Sequence, residues 1–135
     1  MKFLLAITML LSASFSFAQV QPTITTIAGK NNAYLYSYRM VSSDLSTAAA
    51  QLPSYMFKTV QVTGVFGGAT MTAEGSNDGT VWYALKNVAS TAVSGDMTFT
   101  SAGMKRISEN PRYVRLRTSS TAASTDLTGT ILFAK

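Results

Sequence analysis

The run Glu74-Gly75-Ser76-Asn77-Asp78-Gly79-Thr80-Val81-Trp82 constrains this chain more than any other stretch. Asn, Asp and Gly in succession tolerate positive φ, which a tight reversal between two strands requires. One strand therefore ends near Glu74 and another begins near Val81. Trp82, the single tryptophan, is expected in the core beside the turn. A two-stranded hairpin is marginal in water, so neighbouring segments must add strands and a second layer over it.

Those segments have the required pattern. Lys58 to Phe66 alternates, with Val60 and Val62 on one side and Thr59, Gln61 and Thr63 on the other. Gly67-Gly68 marks a turn, and Ala69 to Glu74 returns as a strand. Further strands are expected at Val81–Leu85, Met97–Thr100 and, after a kink or bulge, Gly103–Ile107. Glu109-Asn110-Pro111 breaks the pattern. Tyr113 to Arg117 then alternates, Val114 and Leu116 inward and Arg115 and Arg117 outward, and Leu127 to Phe133 is a last strand. Seven or eight short strands with regular turns predict an all-β fold, a single antiparallel β-sandwich or jelly roll.

Upstream, residues 33–40 also alternate and place Tyr34, Tyr36 and Tyr38 on one face. Such a face is either half-buried core, each phenol reaching a polar partner, or a stripe that stacks on sugar rings or a neighbouring subunit. The opposite face, Leu35, Ser37 and Arg39, is a poor core, so burial of the tyrosines is expected, within the domain or against a partner. Residues 42–51 read equally as a short helical turn ended by Pro53 or as an extended segment with Leu45 in the core. Residues 19–32, rich in Thr with Pro22, Gly29 and Asn31-Asn32, form an extended N-terminal arm or linker, leaving 33–135 as the sandwich domain.

Residues 1–18 resemble a secretory signal peptide. Lys2 precedes the apolar run Phe3 to Leu11, and Ser16 and Ala18 fit a cut before Gln19. The run is too short to anchor in a bilayer. The other reading of the segment is an apolar assembly arm, so contact with a membrane is expected only through this leader.

Composition removes several chemistries. The chain has no cysteine and no histidine, hence no thiolate, no imidazole base and no disulfide. Its six acidic residues show no paired spacing, and its serines and threonines lack an accompanying base. Asn77, Asp78 and Asp96 are too few for a calcium loop. No enzyme activity, cofactor or metal is expected. Net charge is +5, with Lys105, Arg106, Arg112, Arg115 and Arg117 in one segment. That cluster is either a solvated strand face or a patch for an acidic partner. Only Tyr113 is interleaved with it, so direct nucleic-acid binding is not expected. Charged residues are 13% of the chain, and an uncharged surface is cheap to desolvate against a partner.

Two blocks, the Glu74–Trp82 hairpin and Asn110-Pro111-Arg112-Tyr113-Val114-Arg115-Leu116-Arg117, resemble the core signature of discoidin-like jelly rolls. Together with Val60-Gln61-Val62-Thr63-Gly64-Val65-Phe66-Gly67-Gly68-Ala69-Thr70, they more closely resemble small bacteriophage virion proteins over residues 56–135. That resemblance implies a capsid decoration (cement) or fibre-type subunit located in the virion. Its partners would be the major capsid protein or other virion subunits, in a homo-oligomeric assembly. Tyr34, Tyr36 and Tyr38 are the expected contact residues, with Arg115 and Arg117 for acidic neighbours. The discoidin resemblance, with the leader, implies instead an exported glycan-binding or adhesin module at the cell surface.

Overall fold

A computed structural model describes residues 19–27, 33–43, 46–51, 57–88 and 96–134. The expected leader at 1–18 lies outside the described residues, as do Leu45 and Pro53. Among the described residues ten strands follow in order: β1 (Thr23–Thr26), β2 (Ala33–Val41), β3 (Ala50–Gln51), β4 (Phe57–Val65) and β5 (Thr70–Ser76). They continue as β6 (Tyr83–Ala84), β7 (Thr98–Phe99), β8 (Gly103–Arg106), β9 (Tyr113–Ser119) and β10 (Asp126–Ala134). They form two antiparallel sheets packed face to face. The first has the order β1-β2-β10-β4-β8; the second runs β3-β9-β5-β6, with β7 also paired to β5. The expected all-β sandwich is the fold.

Alternation sets the layers. In the first sheet β10 lies between β2 and β4, so Tyr36, Ile131 and Val60 align in one row and Met40 and Leu127 in another. These face Met71, Ala73, Val114 and Leu116 from the second sheet to make one core. The sheets pack tightly at Gly129, where an added Cβ would lie 2.3 Å from Leu116 Cδ1 and 3.2 Å from Met71 Sδ.

After a turn at 42–43 the chain is extended over 46–51, as in the second reading of this segment; 44–45 lie outside the described residues. Thr47 is buried, its N–H donates to Leu116 O at 2.9 Å, and its Oγ1 accepts from Leu116 N–H at 3.0 Å. Those bonds to β9 replace the internal ones a helical turn would have made. Residues 19–27 are extended and also paired. The Ala48 N–H donates to Val20 O at 2.8 Å on the second sheet's side, and after Pro22 the chain crosses to the first sheet as β1. The arm thus closes one flank of the sandwich.

The expectation that Trp82 enters the core is corrected. The reversal is wider than a two-residue hairpin, because the Asp78 carboxylate organises it. Asp78 Oδ1 accepts from Thr80 N–H at 2.8 Å, Val81 N–H at 2.9 Å and the Ser76 hydroxyl at 2.8 Å. Gly79 adopts φ 78°, which costs a residue without Cβ little. Pairing resumes only at Tyr83, so Leu85, 5% exposed, takes the core position.

Candidate functional site

Three surfaces carry chemistry. The first is the outer face of the five-stranded sheet. Register puts Leu35, Leu132, Thr59 and Arg106 in one row, Ser37, Thr130, Gln61 and Met104 in the next, and Val41, Asp126 and Val65 at one end. Val41, Phe57, Val65 and Met104 are exposed, Met104 at 69%. Arg39 forks onto Asp126 through Nε at 3.0 Å and Nη2 at 2.8 Å, and Arg106 lies 4.8 Å over the Phe57 ring. A threonine-rich, partly apolar face whose charges are already engaged loses little hydration on meeting a partner.

The second surface is the outer face of the other sheet. Glu74 is buried opposite Arg115 on β9, which reaches its Oε2 at 2.7 Å, while Arg117 lies 3.4 Å from Oε1. The Trp82 ring stacks 4.2 Å from the Arg115 guanidinium. Nearby, Arg112 lies 5.3 Å from the Tyr113 ring, whereas Lys105, on β8 of the first sheet and in register with Val60, lies 4.9 Å from buried Phe99 while donating to Thr98 O at 2.5 Å. Every member of the basic cluster is therefore seated on a ring or on Glu74. The cluster's first task is packing: guanidinium and ammonium groups over π faces. Arg115 is mostly enclosed by this arrangement, whereas Arg117 keeps 58% of its side chain in solvent.

The third is an open cleft of about 530 Å³ at the reversal, between the 77–83 loop and the β8–β9 connection. Val81 and Tyr83, both exposed, form one wall; Glu109, Asn110 and Pro111 form the other. Its polar groups are largely used within the fold. Glu109 accepts from Lys86 N–H at 2.8 and 3.0 Å and from Ser108 Oγ at 3.0 Å, and Asn77 Oδ1 accepts from Arg112 N–H at 3.3 Å. Asp96, the more distant of the three oxygen donors weighed for calcium, is paired with Lys86. No group of three or more acidic ligands gathers among the described residues.

Two backbone N–H groups of the loop, Thr80 and Ser76 hydroxyls hold the Asp78 carboxyl well below the usual carboxylate range. Its folded pKa is depressed, so its stabilising contribution is complete above the unfolded value of about 4 and lost as pH falls through the folded value. Asp78→Ala should accordingly destabilise the protein at pH 7. The difference between variant and parent should shrink as pH is lowered below about 4, measured by thermal melts across that range.

The tyrosine stripe turns inward. Tyr38 is 1% exposed and belongs to the core, which corrects its place among the contact residues: no partner reaches it. Thr47 lies close to the Tyr38 phenol without hydrogen-bond geometry, and the hydroxyl has no bond within the described residues. Burial first, then neighbouring Tyr36, drives its ionisation well above the ordinary tyrosine range. Tyr36 is half-buried, edge-on to Phe133 with centroids 5.5 Å apart, and Tyr34 is half-buried beside it. The five expected residues do not form one site. Tyr34, Tyr36 and Tyr38 sit on the inner face of one sheet, Arg115 and Arg117 on the outer face of the other.

Sequence reasoning missed the first sheet's outer face, because its members are spread over four strands with sequence spans of more than sixty residues (Phe57 meets Ala134). It also missed Lys58, buried on the inward side of β4, although its parity with Val60 and Val62 was visible. Compared with protein-family models, curated proteins and solved structures, the chain matches none.

Proposed function

We propose that the protein is a structural virion subunit, a decoration or cement-type β-sandwich that binds neighbouring capsid or other virion subunits. The observation that carries this reading is the outer face of the β1-β2-β10-β4-β8 sheet. Val41, Phe57, Val65 and Met104 stand exposed there among threonines, with Arg39 neutralised by Asp126. Such a face suits a flat protein neighbour, since association gains apolar burial without stripping unpaired charges. The ordered resemblance of three sequence blocks to small phage virion proteins points the same way.

A charge placed on that face should break the association. Val65→Glu and Met104→Glu chains, added to particles stripped of the native subunit, should co-sediment at least tenfold less than the parent while melting at nearly the same temperature. Equal co-sedimentation would rule this face out as the docking surface.

A second reading, an exported glycan-binding module, is favoured by one observation: Tyr83, 72% exposed, stands on the wall of the cleft as a platform for a sugar ring. Under that reading Tyr83→Ala abolishes retention on a glycan array that the parent binds. A parent with no array signal would set the reading aside.

A further inference from the structure

Lys58 is a charged residue placed where the sandwich needs an apolar one. It is 2% exposed, on the inward side of β4 and opposite Phe133. Its amine meets the side-chain carbonyl oxygen of Asn110, 52 residues away. The backbone brings the two segments together. β4 pairs with β8 so that Thr59 faces Arg106, and Ile107 N–H donates to Lys58 O at 2.9 Å. The chain then turns at Glu109-Asn110-Pro111, bringing the carboxamide back over the buried amine.

We propose that Lys58 and Asn110 join in an intramolecular isopeptide bond, Lys58 Nζ to Asn110 Cγ, stapling β4 to the β8–β9 connection. The neutral amine attacks Cγ and a C–N bond forms. The carboxamide nitrogen leaves as ammonia, taking the proton that the amine gives up. One amide replaces another, so no oxidant, reductant or activated co-reactant is involved.

Four features favour that reaction over a plain hydrogen bond. Burial lowers the Lys58 pKa, raising the share of neutral amine. The nucleophile and the carbonyl are held together by flanking strand pairing, which converts an encounter into a positioned contact. Asn110 borders the open cleft, so ammonia has an exit. Pro111 carries no backbone N–H, so Asn110 cannot be consumed by ring closure onto the following amide. In a chain without cysteine, this is a covalent closure of a long loop that needs no disulfide.

Mass mapping of the full purified chain tests the proposal. An N-terminal Gln19 would also lose one ammonia by cyclising, so the decisive readout is the peptide. Trypsin does not cut at an acylated lysine, so the parent should yield a branched peptide in which 40–86 is joined to 107–112. Lys58→Met and Asn110→Ala should each yield only linear peptides and melt at lower temperature than the parent. Linear 59–86 and 107–112 from the parent, even after days at about pH 9 where more of the amine is neutral, would overturn the bond itself.

Discussion

Replacing Glu74 by Ala is expected to lower the free energy of unfolding by about 3 kcal/mol, among the largest effects of any single polar substitution. The carboxylate is buried, 7% exposed, and receives Arg115 and Arg117 together. Removing it leaves Arg115, whose side chain is 19% exposed, without its counter-charge beneath the Trp82 ring. Breaking an enclosed pair costs far more than the pair was worth, because the remaining ion keeps its desolvation penalty. Arg117, mostly in solvent, contributes little to that cost. Denaturant unfolding measures the loss, and Trp82 fluorescence reports whether the stack has come apart. A further change of Arg115 to Met should recover much of the stability, since an apolar side chain needs no partner there. A loss below about 1 kcal/mol in the single variant would instead mark the pair as an ordinary surface ion pair.

The second large effect lies where the sheets touch. Leu116→Ala should cost about 2–5 kcal/mol, since the side chain is fully buried and inserts against the space left by Gly129. Gly129→Ala meets the same contact from the other side. Its new methyl would fall 2.3 Å from Leu116 Cδ1, so the sheets must part or the leucine must change rotamer, at about 1–3 kcal/mol. The two sites share one volume, so they must not add. Gly129→Ala combined with Leu116→Val should be clearly more stable than the sum of the single losses predicts. Strict additivity in urea unfolding would mean that Gly129 and Leu116 do not share one volume.

Much of the fold was legible because alternation is a local signal. The parity of Val60, Val62, Val114, Leu116, Ile131 and Phe133 alone assigns them to the interior, and all six are buried. Trp82 was misplaced because a carboxylate took over the turn: Asp78 gathers three donors and widens the reversal, and that depends on side-chain bonding, not on the Asn-Asp-Gly pattern. The candidate surfaces were harder to foresee for a different reason. Each is assembled across strands distant in the chain, so only register reveals it. Arg115 and Arg117 read as outward charges, which they are, but nothing local says that Glu74 lies directly opposite Arg115. Nor does sequence show that Lys105, Arg106 and Arg112 each find an aromatic ring. A run of cations that reads as a docking patch is, in space, a set of separate packing contacts.

The tyrosine stripe carries the same lesson at shorter range. Its common face was correct, and its destination was decided by how far the second sheet reaches: over Tyr38 completely, over Tyr34 and Tyr36 in part. That moves the weight of any protein–protein contact from the tyrosines to the opposite side of the same sheet, where Val41, Phe57, Val65 and Met104 remain in solvent.

The proposed virion role is tested most directly on the particle itself. Intact-mass analysis of washed, purified virions should find this chain there in fixed ratio to the main shell protein. Recovery of the chain solely from the culture fluid, beginning at Gln19 and absent from every particle, would contradict the account.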